Sequence, residues 1–179
     1  MKPSVREMQL NDIQKIADYW LLSSKEHMVA MGVDLAKLPG REGLTQMLTT
    51  QIGLPIEERQ SFALIWEVDG EAIGHNNVNG ISFGESATMH LHIWQPEWRR
   101  RGLGAQLLRK SIPQFFENLQ LKALICEPYA KNPAPNRTLE KLGFELEKTY
   151  VTTPGSLNFE QEVNRWKLDK DTFGSLFKA

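Results

Sequence analysis

Residues 89 to 116 constrain the fold more tightly than any other stretch of the chain. From Met89 to Trp94, as Met-His-Leu-His-Ile-Trp, side chains alternate in type as they do in a strand with two different faces. Gln95-Pro96-Glu97 stops that strand, Arg99-Arg100-Arg101-Gly102-Leu103-Gly104 makes a glycine-rich turn, and Ala105 to Phe116 repeats apolar residues at helical spacing. This order puts the first N–H groups of a helix at the end of a strand. Those groups have no intrahelical partner, and the summed peptide dipoles leave partial positive charge there, so the join attracts an anion. Gly102 and Gly104 let an anion approach the backbone, and three arginines add forked donors that match phosphate oxygens. Two common phosphate loops are excluded. No Gly-Lys-Ser/Thr is present, and Leu107 stands where the third small residue of a dinucleotide loop belongs.

A second segment, Asn132-Pro-Ala-Pro-Asn136-Arg-Thr-Leu-Glu-Lys-Leu-Gly143-Phe144, begins 28 residues after Gly104. Arg99-x-x-Gly102-x-Gly104 resembles the Gln/Arg-x-x-Gly-x-Gly/Ala loop of the GCN5-related N-acetyltransferase (GNAT) superfamily. The second segment is similar to that family's Asn-x-x-Ser/Ala and Glu-Lys-Leu-Gly-Phe elements. The resemblance implies an α/β (α+β) fold in which a mixed, mainly antiparallel sheet is splayed between strands 4 and 5 and flanked by helices. It also implies acetyl-coenzyme A as co-substrate and acetyl transfer to a primary amine by direct attack. On this resemblance Arg99, Arg100, Arg101, Gly102, Leu103, Gly104 and Ala105 would wrap the coenzyme pyrophosphate. The main chain of His92, Ile93 and Trp94 would pair with the pantetheine arm, the His92 N–H facing the acetyl carbonyl and Trp94 meeting the pantetheine amides. Asn132 would bond the same arm, with Arg137 near the 3′-phosphate. Asn132 also reads simply as a helix-start residue ahead of Pro133.

Composition narrows the remaining classes. With 179 residues and 41% hydrophobic content, one globular domain over residues 1–179 can bury a core without staples. A net charge of −1 gives no overall attraction to nucleic acid or to an anionic membrane. The single cysteine, Cys126, cannot form an internal disulfide, the N-terminus lacks the apolar run of a signal peptide, and no run approaches the ~18 apolar residues of a membrane span. The expectation is a cytoplasmic protein without nucleic-acid or membrane partners; a homodimer is left open.

Along the chain, residues 4–8 read as a strand. Leu10, Ile13, Ile16, Ala17, Trp20 and Leu21 fall on one helical face behind an Asn11 cap with Gln14 three residues on. Residues 23–39 are ambiguous, and 42–52 read as a helix closed by Gly53 and Pro55. Residues 61–68 and 71–80 form a hairpin about Asp69-Gly70, a type I′ signature. There follow strand 87–94, helix 104–117, strand 123–127, helix 133–142, strands 145–152 and 161–168, and a tail helix 169–177. The resemblance makes residues 23–58 a wall of the acceptor pocket, where Met28, Met31, Leu35 and Leu38 either line the pocket or belong to the core. No acceptor motif is present in that segment.

Acyl transfer from a thioester to an amine needs a neutral amine, donors on the developing oxyanion and a proton for the leaving thiolate. An amine with a pKa of about 10.4 calls for a base or proton wire at neutral pH, and an imidazole near 6.5 is suited to it. Alternation puts His90, His92 and Trp94 on one face and Met89, Leu91 and Ile93 on the other, so His90 and His92 are the candidate catalytic bases. His90 ranks first, because only it coincides with a position of the His-x-His pair of the arylalkylamine acetyltransferases, which this strand resembles. Glu85 or a water wire comes next. Histidines at i and i+2 of a strand can also chelate zinc, with His75 or Glu85 as a third ligand, but neither has diagnostic spacing and no metal is expected. Many members of the family carry a tyrosine as general acid seven residues after the motif asparagine; this chain has Leu139 there, which donates no proton. Tyr129 and Tyr150 flank the segment as packing residues, and Cys126, with no basic partner in the motif, reads as core. A non-catalytic acyl-CoA-binding module remains the alternative to an enzyme.

Overall fold

The computed structural model describes residues 1–177. Its strands are β1 (Pro3–Glu7), β2 (Ser61–Val68), β3 (Glu71–Ser82), β4 (Ser86–Ile93), β5 (Ala123–Cys126), β6 (Glu145–Thr152) and β7 (Gln161–Asp169). They form one sheet in the order β1-β2-β3-β4-β5-β7-β6. Every pairing is antiparallel except β4 with β5. The helices are α1 (Ile13–Leu22), α2 (Lys25–Ala30), α3 (Arg41–Gly53), α4 (Leu103–Asn118), α5 (Pro133–Lys141) and α6 (Lys170–Phe177). Parallel neighbours need a crossover, which α4 supplies between β4 and β5. The mixed, mainly antiparallel sheet flanked by helices is the one the motifs implied.

Strand alternation explains why helices cover both faces. Phe62, Leu64, Trp66 and Val68 of β2 join Leu107, Leu108, Ile112 and Phe115 of α4 in one core. Trp66 also donates its indole N–H to Ser111 Oγ at 2.8 Å. The alternate residues Ala63 and Ile65 pack with Ile13, Ile16, Tyr19 and Met28 on the opposite face. The β2–β3 turn has φ of 52° at Asp69 and 84° at Gly70, as a type I′ turn requires.

Local expectations at the N-terminus need correction. Asn11 does not cap the first helix, which begins with a 3₁₀ turn at Leu10–Asp12. Asp12 is the residue that closes it, accepting the Gln9 N–H at 2.9 Å while holding the Arg6 guanidinium through both oxygens. Leu10 lies 61% exposed, off the buried face. Within the ambiguous 23–39 segment, the Ser24 hydroxyl accepts the His27 N–H and starts α2. The His27 ring meets the Tyr19 hydroxyl of α1 at 3.2 Å.

The loop between β6 and β7 closes over the α2 end of the molecule. Asn158 Nδ2 and Gln161 Nε2 both donate to the Gly32 carbonyl, at 2.9 and 2.8 Å, and Asp34 N–H bonds Leu157 O. Gly32 has φ of +83°, and a Cβ there would collide with the Gln161 amide, so glycine is demanded twice over.

Candidate active site

The β4–β5 ladder ends at Thr88 opposite Ile125. Beyond it β4 stays with β3 while β5 pairs with β7, so the two parallel strands diverge. A cavity of about 500 Å³ opens along the divergence. It is lined from one side by Met89, His90, Leu91 and His92, and from the other by Cys126, Glu127, Pro128, Tyr129 and Asn132. Trp20, Met31, Leu44 and Leu48 complete it from the helical layer. Of the four apolar residues expected in that wall, only Met31 lines the cavity. Met28 is buried in the core, Leu38 packs against that core and Leu35 is 37% exposed.

Both candidate bases face this cavity, together with His75, considered above only as a third metal ligand, and with Asn77 and Asn79, which sequence reasoning missed. His75 of β3 lies opposite His92, their rings stacked at 4.6 Å, and Asn77 lies opposite His90. The signal was available: His75-x-Asn77-x-Asn79 is a polar stripe on alternate positions of a strand otherwise buried. Burial lowers the His90 pKa to about 4 and that of His75 to about 3, and pushes His92 well below the usual imidazole value. All three rings are therefore neutral at pH 7, and their hydrogen bonds fix the tautomers. Indole N–H only donates, so Trp94 Nε1 at 2.7 Å requires a lone pair on His75 Nδ1. Asn79 Oδ1 only accepts, so at 3.0 Å it places the His90 proton on Nε2 and leaves the Nδ1 lone pair without a partner among the described residues.

The Arg99–Gly104 turn leads into α4, and of its two glycines only Gly102 takes positive φ. Gly102 sits at the N-cap of α4 with φ of 72°, and Arg100 also takes positive φ. A Cβ on Gly104 would meet nothing within 4 Å, so the fold itself does not require glycine there. The open space is what a ligand needs to reach the helix N-terminus. Leu103 is buried under the loop, Ala105 is half-buried, Arg100 and Arg101 are exposed, and Arg101 lies over the Trp98 ring.

Arg99 is placed differently from its neighbours. Its guanidinium turns back to the end of β4, donating Nε to Ile93 O at 3.1 Å, Nη2 to Trp94 O at 2.8 Å and Nη1 to His27 Nδ1 at 3.2 Å. It lines a second cleft of about 580 Å³ that also contains Tyr19, His27 and Trp94. The main-chain directions also shift the expected register. Trp94 N–H bonds Ile73 O of β3, and the His92 carbonyl presses on Gly74 so closely that a Cβ there would strike it. By the alternation of an antiparallel ladder, the polar groups of His92 and the N–H of Trp94 thus turn to β3, while those of Leu91 and the Ile93 N–H face the splay, the Ile93 and Trp94 carbonyls being held by Arg99.

The second motif segment divides between site and scaffold. Asn132 lines the cavity at the start of α5, with no side-chain cap to the helix. Asn136 is a clamp: its amide donates to Tyr129 O and Asn132 O and accepts from Asn164 and Trp166. Arg137 is exposed on α5, and Leu139 is wholly buried in the core. Tyr150 is engaged elsewhere, its hydroxyl donating to Glu127 Oε1, which Arg165 also holds at 2.8 Å. Tyr129 lines the cavity. Cys126 lines it too, but burial pushes its thiol up to about 12, which disables it as a nucleophile. Glu85 is no alternative base, because it is exposed and paired with Lys122 at 2.6 Å. Among the described residues no group of three His, Cys, Asp or Glu side chains could hold a metal ion, and no helix is long and apolar enough to cross a membrane.

The fold is that of a GNAT acetyltransferase domain, and the comparisons agree. A family model described as "Acetyltransferase (GNAT) domain" matches residues 4–145, and the chain belongs to that family. The chain is similar in fold to spermidine N-acetyltransferase from Vibrio cholerae, solved with CoA and spermine: TM-score 0.78, 17% identity, 96% of this chain and 97% of that one. It is similar also to ribosomal-protein-S5-alanine acetyltransferase from Vibrio fischeri (TM-score 0.77, 18% identity, covering 96% and 94%). An aminoglycoside acetyltransferase solved with coenzyme A gives TM-score 0.73 at 16% identity, covering 97% and 98%. A comparison with curated proteins finds no match.

Proposed function

We propose that this protein transfers the acetyl group of acetyl-CoA to a single primary amine carried on an apolar body, by direct attack within the cavity between β4 and β5. The observation that carries this reading is the splay itself: the cavity between β4 and β5 holds a histidine with a free lone pair, and the chain leaving β4 leads directly to an open helix N-terminus at Gly102–Gly104. Pyrophosphate on the loop and Asn132 at the mouth of the gap would orient the thioester, with the Ile93 main chain in place of His92 and Trp94 as pairing partner. Arg137, exposed on α5, is the residue available to the 3′-phosphate.

In the reaction the neutral amine nitrogen attacks the thioester carbonyl, the C–S bond breaks, and of the two amine protons one ends on the leaving thiolate while the other stays on the amide nitrogen. Taking a proton from a free ammonium of pKa about 10.4 onto an imidazole of pKa about 4 is uphill by about 9 kcal/mol. His90 Nδ1 therefore acts after attack, on the far more acidic nitrogen of the tetrahedral adduct, and the acceptor enters the site as neutral amine.

The acceptor class follows from charge. Among the described residues Glu127 is the one carboxylate lining the cavity, and Arg165 and Tyr150 already hold it. Spermine and kanamycin, bound by two of the similar structures, are polycations, whose several ammonium groups are favoured by free carboxylates. This cavity supplies none, and its walls of Trp20, Met31, Leu44, Met47 and Leu48 suit an apolar body.

The test is release of free thiol from acetyl-CoA across a library of amines. Turnover with apolar monoamines or apolar-headed peptides, and little with polyamines, is the expected pattern. Tight coenzyme binding with no turnover on any amine would make the protein an acyl-CoA-binding module instead, and preference for polyamines would overturn the acceptor class.

A further inference from the structure

All four histidines of the chain, His27, His75, His90 and His92, gather around this site, and one of them lies outside the cavity. His27 Nε2 is 3.2 Å from the Tyr19 hydroxyl, which is 3.2 Å from His92 Nδ1 and 3.3 Å from Met31 Sδ. Arg99 closes the other end on His27 Nδ1. The line thus runs from the second cleft, through the wall formed by α1 and α2, to the acceptor cavity.

Its polarity can be read from donor chemistry alone. Guanidinium only donates, so His27 Nδ1 must carry a lone pair, and a neutral His27 then holds its proton on Nε2. That N–H donates to the Tyr19 oxygen. Tyr19 is deeply buried and stays a phenol, so its own proton has two acceptors in reach, His92 Nδ1 and Met31 Sδ. Thioether sulfur is a weak acceptor and imidazole nitrogen a strong one, so the proton goes to His92. His92, with Nδ1 accepting, must bear its proton on Nε2. We propose that Arg99, His27 and Tyr19 form a one-way donor chain that holds His92 as an Nε2–H donor in the acceptor cavity, where it serves the oxyanion of the tetrahedral adduct and not as a base.

Two consequences follow. Aligned hydrogen bonds polarise one another, so the guanidinium charge at one end strengthens the N–H at the other. The work is also divided between two histidines on one face of β4: His90, with a free lone pair on Nδ1, takes the proton, and His92, with its lone pair occupied, gives a hydrogen bond. The positioning residues Tyr19 and His27 line the second cleft and not the acceptor cavity. This division rests on the acetyl-transfer reading above, but the tautomer of His92 is a property of the protein without any substrate.

The experiment is nitrogen NMR of protein labelled with ¹⁵N-histidine at pH 7.5, where the two neutral tautomers give distinct shifts. Wild type is expected to show His92 and His27 as Nε2–H forms. Tyr19→Phe keeps the buried ring and removes the hydroxyl; His92 should then lose its single tautomer, and kcat should fall about tenfold with KM for acetyl-CoA within about twofold, as expected for an interaction made in the transition state. Should Tyr19→Phe fail to fold, Met31→Leu removes the competing acceptor and should leave His92 entirely Nε2–H. An Nδ1–H tautomer at His92 in wild type or in Met31→Leu, or an unchanged His92 spectrum in folded Tyr19→Phe, overturns the proposal. Absence of any amine turnover alongside the expected tautomers would instead remove the acetyl-transfer reading and leave the donor chain standing.

Discussion

Mild acid should destabilise this protein far more than its near-neutral net charge suggests. His75 and His90 are buried and neutral, with pKa values lowered from about 6.5 to about 3 and about 4 by removal from water. A group whose folded pKa is depressed contributes stability that is present above its unfolded pKa and lost as pH falls toward the folded one, because the unfolded chain binds the proton first. At pH 5 the unfolded chain gains about 2 kcal/mol from protonating each of the two, so about 4 kcal/mol of stability is lost relative to pH 8. His92 pushes in the same direction. A domain of this size loses about 2–4 °C of Tm per kcal/mol, so the midpoint should drop by about 8–16 °C between pH 8 and pH 5. Calorimetry in matched ionic strength measures it directly. His75→Asn, which cannot be protonated, should lower stability at pH 8 yet remove about 2 kcal/mol of the loss between pH 8 and pH 5. A Tm that is level from pH 8 to pH 5 would mean that the three rings are hydrated or charged in the native protein, and both the tautomer assignments and the role of His90 would fall with it.

Three further outcomes follow from the geometry. Gly104→Glu places volume and negative charge in the open space at the α4 N-terminus; calorimetry should show coenzyme A binding abolished in a folded variant, and unchanged affinity would refute the loop assignment. His90→Ala should lower kcat/KM by about 10² with coenzyme affinity nearly intact, and a wild-type rate at neutral pH would show the ring to be structural. Gly74→Val must displace the His92 carbonyl from β3, which should cost about 1–3 kcal/mol in a urea titration and disturb the His75–His92 stack; a neutral result would show that the β3–β4 contact yields freely.

The local code was sufficient for most of the fold. A change of hydrophobic period from two to 3.6 across Arg99–Gly104, and Asp69-Gly70 between two alternating runs, set β2, β3, β4 and α4 nearly to the residue, because turn geometry and burial of one face are decided by neighbours in sequence. The same alternation put His90 and His92 on one face. Less of the site was legible. Leu10 and Asn11 misled because Arg6, brought in by β1, recruits Asp12 and moves the helix start. The side of Arg99, the edge to which Trp94 turns its N–H, and the depth at which Leu139 and Asn136 are held all depend on partners at least four residues away and mostly on other elements. Tyr19 and His27 carry no motif at all and became part of the site only when α1 and α2 packed onto β4. Periodicity specifies which face a side chain takes, since that depends on the backbone alone. Which nitrogen of a ring holds the proton, and how far a pKa falls, depend on the dielectric and the donors that folding gathers around it, and only the tertiary structure supplies those.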